Sequence, residues 1–149
     1  MIRAIVTGGL LIAAVAILAL APDYLNEASN EEQKPPCDLL AGPCSWQTDQ
    51  GQWQVMLTPG PKGDQGVEYQ LQVTVPEAPD RFLAVLRGQN MYMGEYPVPL
   101  KKTAEDQYSA TFTAPFCATG TDMMWHISLQ SGQRKLEMDN PRMIFNAVK

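Results

Sequence analysis

A chain of 149 residues has room for one ordinary domain and an accessory segment, and not for two full cores. Eleven Lys and Arg against sixteen Asp and Glu give a formal charge of -5. That sign argues against nucleic acid as a partner, because phosphate-backbone binding rests on a basic surface.

Met1 to Ala21 reads "MIRAIVTGGLLIAAVAILALA", with one Arg near the start and eighteen uncharged, mostly apolar residues from Ala4 onward. This length lies at the lower edge of a spanning helix, for which about 20 apolar residues are usual. Arg3 then stays in the cytoplasm by the positive-inside tendency, and the rest of the chain is exported. Ala19-Leu20-Ala21 also fits an A-x-A processing site, so a cleaved signal peptide is the rival reading. Pro22 directly after the cut and an apolar run longer than the roughly 7 to 15 residues of a typical h-region both favour a retained transmembrane anchor.

Residues 22–48 are read as a linker followed by a Cys loop. "PDYLNEASNEEQKPP" is acidic, polar and closed by two prolines, the composition of a tether. In "CDLLAGPCSW", Cys37 and Cys44 flank a short turn-rich loop. An exported chain makes a disulfide the default use of two of its three cysteines, and the short separation makes Cys37 and Cys44 the expected pair. Cys117 is then free or metal-bound, the alternative being a bridge from Cys44 to Cys117.

Residues 49–149 carry period-two patterning. In "QWQVML", Trp53, Val55 and Leu57 share a face; in "VEYQLQVTV", Val67, Tyr69, Leu71, Val73 and Val75 do so. Such alternation marks half-buried strands. "RFLAVLRG" reads as a third strand, and "YPVPLKK" as an edge segment because Pro97 and Pro99 cannot donate to a ladder. "QYSATFTA", "MMWHISLQ" and "RMIFNAV" complete the set. About seven short strands separated by Pro, Gly and Asp turns predict an all-β, immunoglobulin-like antiparallel β-sandwich.

No G-x-S-x-G, P-loop, H-E-x-x-H or C-x-x-C is present, and the single His rules out any site needing two. The chain is therefore expected not to be an enzyme. What remains is soft: Met91 and Met93 in "RGQNMYMG", then Cys117, Met123, Met124 and His126 in "CATGTDMMWHI". Thioether, thiolate and imidazole together suit Cu(I) better than Mg or Ca. In an extended segment Met91 and Met93 point to the same side, as do Met124 and His126, while Met123 and Trp125 point the other way. Methionine is also an adaptable gap-filler in cores, so core packing or a protein contact stands beside metal binding for Met91 and Met93. A lone strand His is commonly a surface or hydrogen-bonded residue.

The stretch "RGQNMYMGEYPVPLKKTAEDQYSATFTAPFCATGTDMMWHISLQ" resembles the YtkA-like or FixH-like domain of bacterial envelope proteins, with a Met-rich strand end followed by Gly, a Tyr strand and a closing Trp strand. Within that group it is similar to membrane-anchored proteins with the layout C...G-P-C, M-x-M-G, P-x-C and M-x-W. Those positions are here Cys37, Gly42 to Cys44, Met91 to Gly94, Pro115 to Cys117, and Met123 to Trp125. The resemblance runs from about Cys37 to Gln130. It implies an immunoglobulin-like fold in the periplasm, held at the bacterial inner membrane by a single pass. On its FixH side it implies copper handling or assembly of a haem-copper oxidase. The expected partners are then that inner-membrane complex or its copper chaperone, and the expected metal-site residues are Met91, Met93, Cys117, Met123 and His126. A metal-free accessory subunit docking on an integral membrane complex is the alternative, and a thiol-redox role for Cys117 ranks last.

Overall fold

The computed structural model describes residues 35–64, 66–116, 122–136 and 138–148. The expected anchor at 1–21, residues 22–34 of the tether and Cys117 lie outside the described residues.

The described residues form eleven strands: β1 (Pro36–Asp38), β2 (Cys44–Thr48), β3 (Gly51–Gly63), β4 (Gly66–Thr74), β5 (Phe82–Gly88), β6 (Glu95–Pro99), β7 (Lys101–Lys102), β8 (Gln107–Thr113), β9 (Asp122–Ser131), β10 (Arg134–Lys135) and β11 (Arg142–Val148). There is no helix among the described residues. One sheet runs β1-β11-β9-β5-β6 with β10 attached to β9, and the other runs β2-β3-β4-β8-β7. Every pairing is antiparallel except β1 on β11.

Alternation builds the facing surfaces. Trp53, Val55 and Leu57 of β3 and Tyr69, Leu71 and Val73 of β4 are buried, with Gln54, Met56, Gln70 and Gln72 between them exposed. Opposite them lie Phe82, Leu86, Trp125, Ile127, Met143 and Phe145. Rings join the two sheets: Tyr69 meets Phe145 at 5.2 Å between centroids, and Phe82 meets Tyr108 at 5.3 Å. Each such pair adds about 0.5–1.5 kcal/mol beyond its area burial. The architecture is a two-layer β-sandwich.

Two features depart from simple alternation. Val85, Ser128 and Gln130 are buried although they sit on the outer face of the six-stranded sheet. They lie on its central strands, and the Arg87 guanidinium covers Ser128, donating from Nη1 to Oγ at 3.2 Å. Residues 36–48, read in the sequence as a loop ahead of the sandwich, contribute β1 to one sheet and β2 to the other. Cys37 and Cys44 are disulfide-bonded, with their Cα atoms 6.0 Å apart, so the bridge staples one edge of each sheet to the other.

The opposite edge is closed differently. The Leu100 N–H donates to the Phe82 carbonyl at 3.0 Å, and the register pairs Ala84 with Val98 and Leu83 with Pro99. Alternation then turns the backbone of Tyr96, Val98 and Leu100 toward β5 and that of Pro97 and Pro99 toward the open edge. Neither proline has an N–H to offer there. This edge of the sheet therefore presents no donors from those two positions to a further strand.

Candidate functional site: the methionine hairpin

β5 and β6 form a hairpin whose loop, residues 89–94, carries Met91, Tyr92 and Met93. Arg87 and Glu95 are register partners at its root. The guanidinium donates to Glu95 Oε1 from Nε at 2.9 Å and from Nη2 at 2.7 Å. Both side chains are substantially solvated, at 34% and 53%, so the pair stabilises by no more than about 1 kcal/mol. Its geometric effect is to hold the two loop ends together. Gln89 anchors the outgoing chain, its N–H donating to the Met124 carbonyl at 2.9 Å.

Two glycines make the loop possible for different reasons. Gly94 has φ +79°, the left-handed region where a side chain is strained, although the space around it is open. Gly88 has ordinary φ and no space: a Cβ there would collide with the Met91 carbonyl oxygen and with the Met123 methyl. The loop thus turns back over its own start, and Met123 lies directly beneath it.

Within this arrangement Met91 is 48% exposed, Tyr92 83% and Met93 42%. Core packing is excluded for Met91 and Met93. Met123, at 4%, belongs to the core. Met124 and His126 are half-buried on the other face of β9, where His126 stands in register with Arg87 and Ile144. Met123 and His126 therefore point to opposite faces of one strand and are not brought together. The structure groups Met91, Met93 and Met123 at one end of the sandwich.

The chain leaving β8 comes to that same end. Phe112 packs on Phe145, Phe145 pairs with Trp125, and Trp125 pairs with Gly88, so β8 runs toward the hairpin loop before reaching Pro115 and Phe116. Cys117 follows outside the described residues.

Arg87, Gly88 and Glu95 frame the site, and reading by residue type alone passed them over. The signal was present: "RGQNMYMGE" places a glycine and an opposite charge on each side of the methionines. Among the described residues no three of His, Cys, Asp and Glu gather into a metal-binding group, so a cation at this end would depend on thioether sulfur. A groove of about 1020 Å³ runs toward the other end of β5 and β6, lined by Phe82, Leu83, Val85, Pro97, Pro99 and Tyr108 among others. It gathers no constellation of nucleophile and base. No protein-family model, curated protein or solved structure matches the chain.

Proposed function

We propose that the chain is a non-enzymatic, membrane-tethered accessory protein with an immunoglobulin-like domain outside the cytoplasmic membrane. In this reading it binds Cu(I) through Met91 and Met93 and helps deliver it, in the assembly of a haem-copper respiratory oxidase. The observation that carries the reading is the pair of thioethers, two residues apart and nearly half exposed, on a hairpin tip held at its root by Arg87 and Glu95. Cu(I) is a soft cation that takes sulfur donors. A solvent-reachable pair is suited to loading and release, where a buried site would retain the ion. Met123 beneath the loop is the candidate third sulfur, Cys117 the candidate thiolate, and His126 a ligand only for a different ion position on the outer face. The copper is cargo, received from a chaperone or handed to the oxidase complex.

A second reading is favoured by one observation: Tyr92 in the loop is 83% exposed and Tyr96 of β6 42%, so the hairpin also presents aromatic surface of the kind that anchors protein contacts. In that reading the hairpin docks on an integral membrane complex without metal.

Competition between the purified protein and a Cu(I) chelator separates the two. The copper reading expects one Cu(I) bound and its loss in Met91→Leu/Met93→Leu, with stability nearly unchanged, since Met to Leu conserves volume and costs less than about 1.5 kcal/mol. Absence of copper binding, with loss of a membrane partner from the double Leu variant in a pull-down, establishes the docking reading instead.

A further inference from the structure

We propose that Met91 and Met93 form a reversible oxidation site whose sulfoxides switch off soft-metal binding at the hairpin, an inference that rests on the thioether reading above.

Thioether oxidation requires an oxidant to reach a sulfur lone pair, so exposure ranks the methionines. Met91 and Met93 are 48% and 42% exposed, whereas Met123 and Met143 are 4% and 0%. The oxidant is a hydroperoxide. With hydrogen peroxide as that hydroperoxide, the sulfur lone pair attacks one peroxide oxygen, the O–O bond breaks, an S=O bond forms, and the departing oxygen takes the proton to leave as water. Sulfur loses two electrons and the peroxide gains them. Reversal consumes two thiols, which leave as a disulfide while the sulfoxide oxygen departs as water, the chemistry of methionine sulfoxide reductases.

The consequence for the loop follows from ligand softness. The lone pair that held Cu(I) is committed to oxygen, and the sulfoxide presents a harder, polar oxygen in its place. Two sulfoxides at one hairpin tip remove both loop donors. Met56 provides a reference within the same molecule. It is 38% exposed on the outer face of the five-stranded sheet, opposite Gln72, with no second methionine beside it in its own strand. Oxidation there leaves the hairpin sulfurs intact. The effect works in both directions, because a soft cation bound at the loop occupies the lone pairs that the oxidant needs.

Tryptic digestion of the full-length protein after hydrogen peroxide treatment tests this. The peptide Gly88–Lys101 contains Met91 and Met93 as its only methionines, and Met143–Lys149 contains only Met143. The expected result is that Gly88–Lys101 gains one and then two oxygen atoms while Met143–Lys149 stays unoxidised. The doubly oxidised protein is expected to lose Cu(I) to a competing chelator and to regain it after treatment with methionine sulfoxide reductase. Silver(I), a redox-inert soft stand-in, is expected to slow oxidation of Gly88–Lys101 and leave the rate at Met56 unchanged. Equal oxidation of the two peptides, or a doubly oxidised protein that keeps its Cu(I), overturns the switch. Untreated protein that binds no Cu(I) overturns the copper reading itself, so the two failures are distinguishable.

Discussion

Gly88 is the residue on which the hairpin geometry depends. Its missing side chain leaves room for the Met91 carbonyl and the Met123 methyl, whereas Gly94 is needed for its φ of +79° and Gly42 has nothing within 4 Å of an added Cβ. Alanine at the three positions is therefore expected to separate space from strain. Gly88→Ala should cost about 1–3 kcal/mol through overpacking, Gly94→Ala about 1 kcal/mol through a left-handed backbone, and Gly42→Ala less than about 0.5 kcal/mol. Urea denaturation of the three variants measures this, and a Gly88→Ala variant as stable as Gly42→Ala contradicts the packing described. All three glycines are equally visible in the sequence. Their different reasons are not, because crowding at Gly88 comes from the folded-back Met91 carbonyl together with Met123, which lies far along the chain. In the same way, the flanking Arg87 and Glu95 can be read from "RGQNMYMGE", but their pairing exists only once β5 and β6 are in register.

At the scale of elements, β1 depends on its staple. It is a three-residue parallel strand held to β11, extended by the Leu39 N–H donating to the Ile144 carbonyl at 2.9 Å. A strand that short gains little from its own ladder, so the Cys37–Cys44 bridge fixes the edge. Cys37→Ser/Cys44→Ser is expected to lose about 2–3 kcal/mol for a ring this small. Hydrogen exchange should show the Leu39 amide losing protection while the Leu71 region of β4 stays protected. An unchanged denaturation midpoint contradicts this role. The long half-buried strands were legible because Trp53 to Leu57 and Tyr69 to Val73 alternate without interruption. β2 was missed although Cys44 and Trp46 are buried and Ser45 and Gln47 exposed, since five residues next to "LAGPC" read more strongly as a turn. β5 and β9 keep a weaker alternation, because Val85, Ser128 and Gln130 are buried on the outer face of these two central strands.

On the scale of the molecule, the sandwich places its candidate site at one end. The methionine hairpin, Met123 and the exit of β8 converge there, while the disulfide fixes one pair of sheet edges and the prolines of β6 blunt another. The sequence carried the residue types of the candidate site and the all-β class. It could not show that Met91 and Met93 stay exposed while Met123 sinks into the core, because the same residue type serves both ends. The tethered reading adds an expectation about the mature chain: with Pro22 opposing cleavage, intact-mass analysis should find the first residues retained, and a mature N-terminus at or beyond Pro22 contradicts the anchor. The central claim, that the hairpin sulfurs take a soft cation, is tested most directly by titrating silver(I) into protein carrying 13C-labelled methionine methyl groups. The account expects the Met91 and Met93 methyl signals to shift together and saturate at one equivalent, with Met56 and Met143 unmoved. Saturable binding that leaves the Met91 and Met93 signals in place would contradict it.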